Sequence, residues 1–522
     1  MRIAMKWDPT RRQFVRSGMA LSIWALAPKR LRGDSSTAKR MVVRTDSPIG
    51  IVRPEFHSQF AEHLGSCVYG GLWVGKKSPI ANIDGYRKQA VEYLQALGVP
   101  VLRWPGGCFA DDYHWRDGVG PAQNRPKRVN IHWGGYVEDN SFGTHEFIGL
   151  CRLIGAEPYF AGNVGSGSPH ELEEWIEYCN MPAGSTLAEE RAKNGSPEPF
   201  RVRYWGIGNE SWGCGGDMRP DYYASLFRRF AVYVQPYGGT RPFMIASGPS
   251  GNDRNWTRGL LDGLGRHLPN GLSMHYYENG DDPPAEYTAA NCDAQLSIFP
   301  RLEKAITDQR TLVDGYRDGN TVGLILDEWG VWDKIPQQDE KRYGRLWQQS
   351  TMRSGVAAGL GLNIFNRQAD KLYMCNIAQI VNVLQSMLLT DGPEGRNCIR
   401  TANYYAFLLF KPHRGKTALR VEADDSSALA PSVSASVKGQ QMVLSFVNPK
   451  HDTDVQIDCL LQGAKAKAGK AQILQDADWN AHNSFAHPNR LVPRSHPVSV
   501  EGSRVQMDLP RLGVATVVLE LA

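Results

Sequence analysis

The chain has little of several features that would assign its class at once. None of its nine cysteines forms a CxxC pair, and none lies with histidines at the spacing of a zinc site. No apolar run reaches the roughly 20 residues that a membrane-spanning helix requires. The sequence therefore argues against a zinc-binding module and against a helical membrane protein. The cysteines are predicted to be mostly free, buried thiols.

The chain also lacks a basic surface, although its formal net charge is +5. Residues 1–40 hold ten Lys or Arg against two Asp, so the remainder carries 49 basic and 52 acidic residues. A protein that binds nucleic acid needs a basic face on its folded domain. The near-neutral body excludes nucleic acid as the expected partner.

What the chain does have is the composition of a large globular protein. Hydrophobic residues make up 42% and charged residues 22% of its 522 residues, which is enough for a sizeable core. This length fits a barrel of at least 250 residues plus one further domain. Because no internal repeat and no low-complexity linker is present, the two domains are expected to pack directly against each other.

The N-terminal residues resemble an export signal. The segment TRRQFVR at 10–16 matches the twin-arginine pattern at Arg11, Arg12 and Phe14, and a short apolar run follows at 18–27. We therefore predict a leader over residues 1–40 and a periplasmic or secreted protein. The alternative is a disordered basic leader on a cytoplasmic protein.

Two stretches are typical of buried strands that end at a glutamate. Residues 203–212 (RYWGIGNESW) place an aromatic and β-branched run before Glu210, and residues 321–332 (TVGLILDEWGVW) place a continuous apolar run before Glu328. The two glutamates are 118 residues apart, about three βα units of a barrel at roughly 30 to 40 residues each. They are predicted to end strands four and seven of one barrel.

The rest of the chain supports a barrel because strand and helix patterns alternate regularly from residue 56 onward. We expect a helix over 343–359 and a strand over 359–366 to close the barrel, with a further buried helix over 372–388. After Pro393 short strands separated by Gly, Pro, Asn and Asp predict an antiparallel β-sandwich. The predicted domains are a catalytic (β/α)8 TIM barrel over 54–392, a C-terminal β-sandwich over 393–522, and an extended segment, 41–53, that joins the sandwich.

Two facing carboxylates suit glycosidic bond cleavage. One carboxylic acid protonates the leaving oxygen while the other attacks or stabilises the anomeric carbon, and closeness pushes their pKa values apart. Glutamates at strand ends are also often plain surface residues, so the neighbours matter. Asn209 can donate to a sugar hydroxyl, and Trp212 and Trp329 are either sugar-binding walls or ordinary core aromatics.

Seven blocks of the sequence, in order, resemble the α-L-arabinofuranosidases of glycoside hydrolase family 51. The resemblance runs from about residue 45 to the C-terminus and rests on the blocks FAEHLG, RWPGGCFADDYHWRDGVGP, WGIGNESWGCGG, SMHYY, LDEWGVW, NIAQIVNVLQ and DADWNAHNSFAHPNR. It implies a retaining double displacement in which Glu210 is the general acid/base and Glu328 the nucleophile. The two carboxyl groups would then lie roughly 5 to 5.5 Å apart.

The resemblance also assigns the remaining site residues. It implies that Glu62 and Asn209 bind hydroxyls of the arabinofuranose, and that Gln379 and Cys108 border the same pocket. The other implied roles are a hydrogen bond from Tyr277 to the nucleophile, and positioning of the two glutamates by Arg103 and His275. No metal and no organic cofactor is expected, and self-association as a hexamer is implied by resemblance alone.

Three functions stay open at this level. The first is release of terminal α-L-arabinofuranosyl groups from arabinan, arabinoxylan or their oligosaccharides. The second is a β-1,4-glucanase or xylosidase on the same barrel, and the third is a carbohydrate-binding protein whose barrel has lost catalysis. The retention of both glutamates argues against the third.

Overall fold

The computed structural model describes residues 38–522, and the proposed twin-arginine leader lies outside these residues apart from its last three. Numbered along the chain, eight parallel strands close into a barrel. They are β2 (Ser58–Phe60), β5 (Val101–Trp104), β8 (Glu157–Gly162), β9 (Tyr204–Ile207), β10 (Phe243–Ala246), β11 (Gly271–Asn279), β12 (Gly323–Trp332) and β13 (Leu372–Ala378).

The barrel closes where β13 pairs with β2, through Asn376 opposite Ser58 and Ala378 opposite Phe60. Its floor is filled by side chains from several strands, as expected of a packed barrel interior. These side chains are Val101, Tyr159, Tyr204, Ile245, Ile325 and Met374. The predicted (β/α)8 fold is confirmed.

The helices of the described residues mostly cover the outside of the barrel. They are α1 (Lys88–Leu97), α2 (Thr144–Ile154), α3 (Pro169–Asn180), α4 (Thr186–Lys193), α5 (Pro220–Ala231), α6 (Arg254–Leu264), α7 (Ala289–Ser297), α8 (Phe299–Asp314), α9 (Gln337–Tyr343), α10 (Met352–Arg367) and α11 (Ala402–Phe410). Local sequence sets their ends. Ser168 caps α3 by accepting from the Glu171 N–H, and Gly98 ends α1 in the left-handed conformation.

The predicted closure of the barrel was wrong in its details. Residues 359–366, predicted as the last strand, belong to helix α10, and residues 372–388, predicted as a helix, begin with strand β13. Every residue from Met352 to Asn366 is buried, so the helix has no polar face to reveal its period. The apolar run after Leu372 is needed as the eighth strand because β12 and β2 require a partner between them.

Glycine explains why α10 resembles a helix in the sequence only in part. A Cβ at Gly361 would lie 2.5 Å from the Trp329 ring, and one at Gly355 would lie 2.9 Å from the Ala402 side chain. These glycines therefore permit close packing against β12 and α11, at a cost in helix propensity. Tertiary packing has overridden the local preference.

The second domain is one ten-stranded sheet. Its strands are β1 (Ala38–Ile51), β16 (Thr417–Ala423), β17 (Ser432–Lys438), β18 (Gln441–Val447), β19 (Val455–Gln462), β20 (Ala466–Leu474), β21 (Arg494–His496), β22 (Ser499–Glu501), β23 (Arg504–Leu509) and β24 (Val514–Leu521). The sheet curls on itself, since Ala466 of β20 bridges to Gly502 beside β22 and residues from both halves share one core.

Strand β1 lies within this sheet. It pairs antiparallel with β16 and parallel with β19, so the N-terminal segment is tied to the C-terminal sheet before the barrel begins. Three short hairpins complete the strands: β3 (Asn82–Ile83) with β4 (Tyr86–Arg87), β6 (Arg128–Val129) with β7 (Val137–Glu138), and β14 (Leu388–Thr390) with β15 (Cys398–Arg400). Within residues 38–522, no helix has the length and apolar character needed to cross a bilayer.

Candidate active site

Two glutamates lie at the carboxyl ends of barrel strands. Glu210 comes three residues after β9, the fourth barrel strand, and Glu328 lies within β12, the seventh. A carboxylate oxygen of each lies within 4.8 Å of the other and of a ring nitrogen of His275. Because the carboxyl ends of parallel strands open toward the same loops, the two acids face one cavity.

Glu328 is buried, at 5% exposed, and each of its two carboxylate oxygens accepts a hydrogen bond. Arg103 Nη1 donates to its Oε1 at 2.7 Å, and the Tyr277 hydroxyl donates to its Oε2 at 2.7 Å. Burial would raise the pKa of Glu328, but the charges of His275 and Arg103, with these hydrogen bonds, outweigh burial and lower it. Glu328 is therefore held ionised, as a nucleophile requires.

His275 lies between the two acids. Its Nδ1 is 2.8 Å from Glu210 Oε1 and 3.5 Å from Glu328 Oε2. Burial lowers the pKa of His275, yet the charge of Glu328 and the hydrogen bond and charge of Glu210 more than offset this and raise it. A proton on this ring compensates the negative charge shared by the two carboxylates.

The backbone around Glu210 turns sharply, and Glu210 itself has a positive φ of 40°. Its carbonyl accepts from the N–H groups of Gly213 and Gly215, which closes a tight turn behind it. Left-handed backbone at a non-glycine residue is unusual and persists where the surroundings fix it. The turn directs the Glu210 side chain toward the cavity.

Asn209, just before this turn, presents an unpaired donor. Its Oδ1 accepts from Arg103 Nη2 at 2.5 Å, whereas its buried Nδ2 has no hydrogen-bond partner within residues 38–522. Buried amide groups are normally satisfied, so this N–H is available to a ligand atom. Arg103 thus holds both the Glu328 carboxylate and the amide that comes just before Glu210.

Glu62 follows β2 and lies at the bottom of the cavity, 2% exposed. It accepts from the Phe109 N–H at 3.0 Å, from Trp133 Nε1 at 2.8 Å and from Gln379 Nε2 at 3.2 Å. Burial, reinforced by the charge of Glu328, raises the pKa of Glu62 to about 8 despite these donors. A Cβ at Gly107 would lie 2.7 Å from both Glu62 oxygens, so glycine is required there.

Cys108 forms a disulfide with Cys214 in the structure, with a Cα–Cα distance of 5.5 Å. The expectation of a buried thiol at Cys214 was therefore wrong, whereas the other seven cysteines are free and buried. The bridge joins the loop after β5 to the loop after β9. Cys214 Sγ lies 3.3 Å and Cys108 Sγ 3.9 Å from Glu210 Oε2.

The cavity above the two acids has a volume of about 680 Å³, which is typical of sites for ligands larger than one sugar ring. Trp212 lines it, but Trp329 is buried against Phe365 and Phe407 and is a core residue. Seven of the nine predicted site residues line the cavity. Those lining it are Glu62, Cys108, Glu210, His275, Tyr277, Glu328 and Gln379, while Arg103 and Asn209 lie beneath.

Sequence reasoning missed several residues of the site. Trp133 and Trp332 line the cavity and form the aromatic surface that was expected of Trp329. Asp111, in the FADDY segment, accepts from the N–H groups of Val164, Gly165 and Asn209 and so joins the loops after three barrel strands. A pair of aspartates directly after the glycine turn is the signal that could have identified it.

A second missed residue is Asp327, which comes directly before Glu328. It accepts from the Tyr159 hydroxyl at 2.9 Å and from Asn376 Nδ2 at 2.8 Å, and it lies 3.4 Å from Arg103 Nε. Asp327 therefore holds the far side of the guanidinium that contacts Glu328. Such a supporting group has no sequence motif of its own.

A parallel barrel that presents two hydrogen-bonded glutamates on its fourth and seventh strands defines the class of the barrel glycosidases. Comparison with known proteins gives the family. The profile of the α-L-arabinofuranosidase 1 domain matches residues 93–291, and that of the α-L-arabinofuranosidase C-terminal domain matches residues 327–512. An intracellular exo-α-L-arabinofuranosidase of Bacteroides ovatus is 42% identical over 496 residues, covering 92% of this chain and 95% of the relative.

Solved structures agree. The GH51 arabinofuranosidase from Xanthomonas axonopodis pv. citri aligns with a TM-score of 0.89 at 38% identity, covering 93% of this chain and 100% of that one. The α-L-arabinofuranosidase from Thermotoga maritima, in its arabinose complex, aligns with a TM-score of 0.82 at 28% identity, with the same coverage. The chain belongs to glycoside hydrolase family 51, the family of the α-L-arabinofuranosidases.

Proposed function

We propose that the protein is a retaining exo-α-L-arabinofuranosidase. The observation that carries the proposal is the placement of the Glu210 and Glu328 carboxylates within 4.8 Å of each other across one cavity. Retaining glycosidases hold their two carboxyl groups about 5 to 5.5 Å apart, whereas inverting ones leave roughly 6.5 to 9.5 Å for a water molecule. The short separation supports double displacement.

In the first step Glu328 attacks the anomeric carbon of the bound arabinofuranosyl group. Glu210 gives a proton to the departing glycosidic oxygen, so the aglycone leaves as an alcohol and the sugar becomes an ester of Glu328. Burial raises the pKa of Glu328, but the charges of His275 and Arg103 outweigh burial and lower it. The nucleophile is therefore present as a carboxylate.

In the second step water hydrolyses this ester. Glu210, now ionised, takes a proton from the water, and the C–O bond to Glu328 breaks with return of the carboxylate. His275, which contacts both acids, is suited to balance their charge as the proton moves. The cycle consumes one water and releases arabinose.

The sugar is bound by groups at the cavity floor. Glu62 and Gln379 face it from one side, and the unpaired Nδ2 of Asn209 faces it from beneath. These polar groups suit the hydroxyls of a single furanose ring, while the remaining volume suits a larger aglycone. We propose terminal or side-chain arabinofuranosyl groups of arabinan or arabinoxylan as the natural substrates.

The assignment of Glu328 is tested by chemical rescue. Glu328→Ala should lose turnover of an aryl α-L-arabinofuranoside, and added azide or formate should restore part of it by attacking from the vacant side. Retention is tested by NMR of the first-formed anomer from the wild-type enzyme. An unrescued variant together with an inverted first product would contradict the double displacement.

The choice of sugar is tested by comparing aryl α-L-arabinofuranoside with aryl β-xyloside and cellulose. We expect turnover of the first only. A preference for cellulose would favour the glucanase alternative, and sugar affinity without any turnover would favour a binding protein.

The proposal includes the site of action and the assembly. The disulfide Cys108–Cys214 is of the kind that persists in oxidising compartments, which supports a location outside the cytoplasm. The twin-arginine pattern at Arg11 and Arg12 is the proposed route. Fractionation of cells expressing wild type and an Arg11→Lys/Arg12→Lys variant tests this, since only the wild type should leave the cytoplasm. A hexamer, proposed by resemblance, is tested by light scattering.

A further inference from the structure

Beyond glycoside cleavage, we propose that the reduced Cys108–Cys214 pair, together with Glu210, binds a thiophilic divalent cation such as Zn²⁺ or Cd²⁺. The oxidised enzyme would lack this site because a disulfide sulfur has no charge to offer. The site would thus exist only in the dithiol state. It would occupy the proposed general acid/base.

The positions of the donor atoms carry this inference. Cys108 Sγ, Cys214 Sγ and a Glu210 oxygen all lie within 4.8 Å of one another. With Zn–S near 2.3 Å and Zn–O near 2.1 Å, tetrahedral angles place sulfur and oxygen about 3.6 Å apart. The two S···Oε2 distances, 3.3 and 3.9 Å, bracket that value.

Only the two sulfurs must move. Two thiolates on a tetrahedral Zn²⁺ lie about 3.8 Å apart, so breaking the S–S bond lets them separate to ligand spacing. Both cysteines are on loops, in a 3₁₀ turn after β5 and in the turn after β9, and not in strands. Rotation about the cysteine side chains supplies the separation without moving the barrel.

The surroundings suit a cation with an open coordination position. Both cysteines are half-buried beside the cavity, and Cys108 lines it, so a water molecule or hydroxide can occupy the fourth position. The other Glu210 oxygen, Oε1, stays 2.8 Å from His275 Nδ1, which fixes the carboxylate as outer-shell partners do in metal sites. By contrast, the other seven cysteines are buried singly.

The chemistry balances with two reagents. A phosphine reductant and water convert the disulfide to two thiols, and the phosphine becomes its oxide. The cation then displaces the two thiol protons and accepts lone pairs from two thiolates and one carboxylate. Reoxidation with a disulfide reagent reverses the first step after a chelator has removed the cation.

Loss of activity in the metal-bound state rests on the proposed function, because it assumes that Glu210 must exchange a proton during turnover. Metal binding itself does not. General acid/base catalysis contributes roughly 10²- to 10⁴-fold, so occupation of Glu210 should lower turnover at least about 10²-fold.

The experiment titrates Cd²⁺ into full-length enzyme, oxidised or reduced with a phosphine, and follows thiolate-to-cadmium absorption in the ultraviolet. We expect one Cd²⁺ per reduced chain, no binding to the oxidised chain, and loss of aryl arabinofuranoside turnover that a chelator reverses. Absence of the band in the reduced enzyme would overturn the site. The site would also be overturned if the reduced chain unfolded and Cd²⁺ did not prevent this, as monitored by tryptophan fluorescence.

Variants identify the ligands. Cys108→Ala/Cys214→Ala should abolish binding, whereas Cys459→Ala, which removes a buried cysteine of the sheet domain, should leave it unchanged. Glu210→Gln should keep the thiolate band but weaken affinity about tenfold or more, because loss of even an outer-shell partner typically costs roughly 10- to 100-fold. Equal affinity in Glu210→Gln would overturn the role of Glu210 as a ligand. Full binding with undiminished turnover would uphold the site and instead count against Glu210 as acid/base.

Discussion

Replacement of Tyr277 by phenylalanine isolates one hydrogen bond to the proposed nucleophile. The Tyr277 hydroxyl donates to Glu328 Oε2 at 2.7 Å, and its ring packs edge-on against Trp332 at 5.4 Å between centroids. Phenylalanine keeps the ring contact and removes only the hydroxyl. The variant therefore tests how much this bond contributes to keeping Glu328 ionised.

The magnitude follows from the charge on the acceptor. A hydrogen bond to a charged group contributes about 1.5 to 3 kcal/mol, and each pKa unit corresponds to about 1.4 kcal/mol. Burial raises the pKa of Glu328, and the charges of His275 and Arg103 with hydrogen bonds from Arg103 and Tyr277 lower it. Removing one of those bonds should therefore raise that pKa by about one to two units.

The assay is the pH dependence of kcat/KM, whose acid limb reports ionisations of the free enzyme. In Tyr277→Phe the acid limb should move to higher pH by about one to two units, because Glu328 then keeps its proton longer. Below the limb kcat/KM should fall about 10- to 100-fold relative to wild type, while above it the two profiles should approach each other.

A matched control is Tyr223→Phe. Tyr223 is fully buried, and among residues 38–522 its hydroxyl hydrogen-bonds only to the backbone of Ile207 and Ser247. It should lose stability without a change in the acid limb. A uniform fall of kcat/KM at every pH in Tyr277→Phe, with the limb in place, would refute the reasoning and assign the hydroxyl to substrate contact.

Three further predictions concern stability. Burial raises the pKa of the Glu62 carboxyl to about 8 in the folded protein, from about 4.5 in the unfolded chain. The stability that Glu62 contributes is therefore fully present below pH 4.5 and is lost as the pH rises through 8. The Tm of Glu62→Gln should accordingly fall less than that of the wild type between pH 5 and 9. Arg353→Met breaks a fully buried ion pair with Asp333 and should cost about 3 to 5 kcal/mol in urea unfolding. Gly361→Ala forces a methyl group toward Trp329 and should cost about 1 to 3 kcal/mol, with a fall in kcat because Trp329 adjoins Glu328 on the same strand; an unchanged kcat would show that β12 does not transmit the displacement.

Hydrophobic periodicity and the polar residues at strand ends were sufficient to predict the barrel and the positions of Glu210 and Glu328. Glu210 and Glu328 could be placed on strands four and seven because parallel strands carry continuous apolar runs and then stop at polar residues. Their spacing then reflects the regular length of βα units. These are local signals, and one sequence is sufficient to read them.

Features that depend on tertiary contact could not be predicted in this way. The disulfide joins cysteines 106 residues apart, and nothing in the spacing of scattered cysteines selects that pair. Asp111 is informative only once the loops that it joins have met. Part of helix α10 resembles a strand in the sequence because its glycines are set by close packing against other elements and not by helix propensity.

The position of α10 has a consequence for the architecture. One of its glycines faces Trp329 of the barrel, while Gly359 faces Val447 and Val514 of the ten-stranded sheet. The helix therefore packs against the barrel on one side and against the sheet on the other. Removing the sheet would expose the apolar surface of α10 to water. The two domains are therefore not independent units, and a version of the barrel engineered into another protein should keep the sheet.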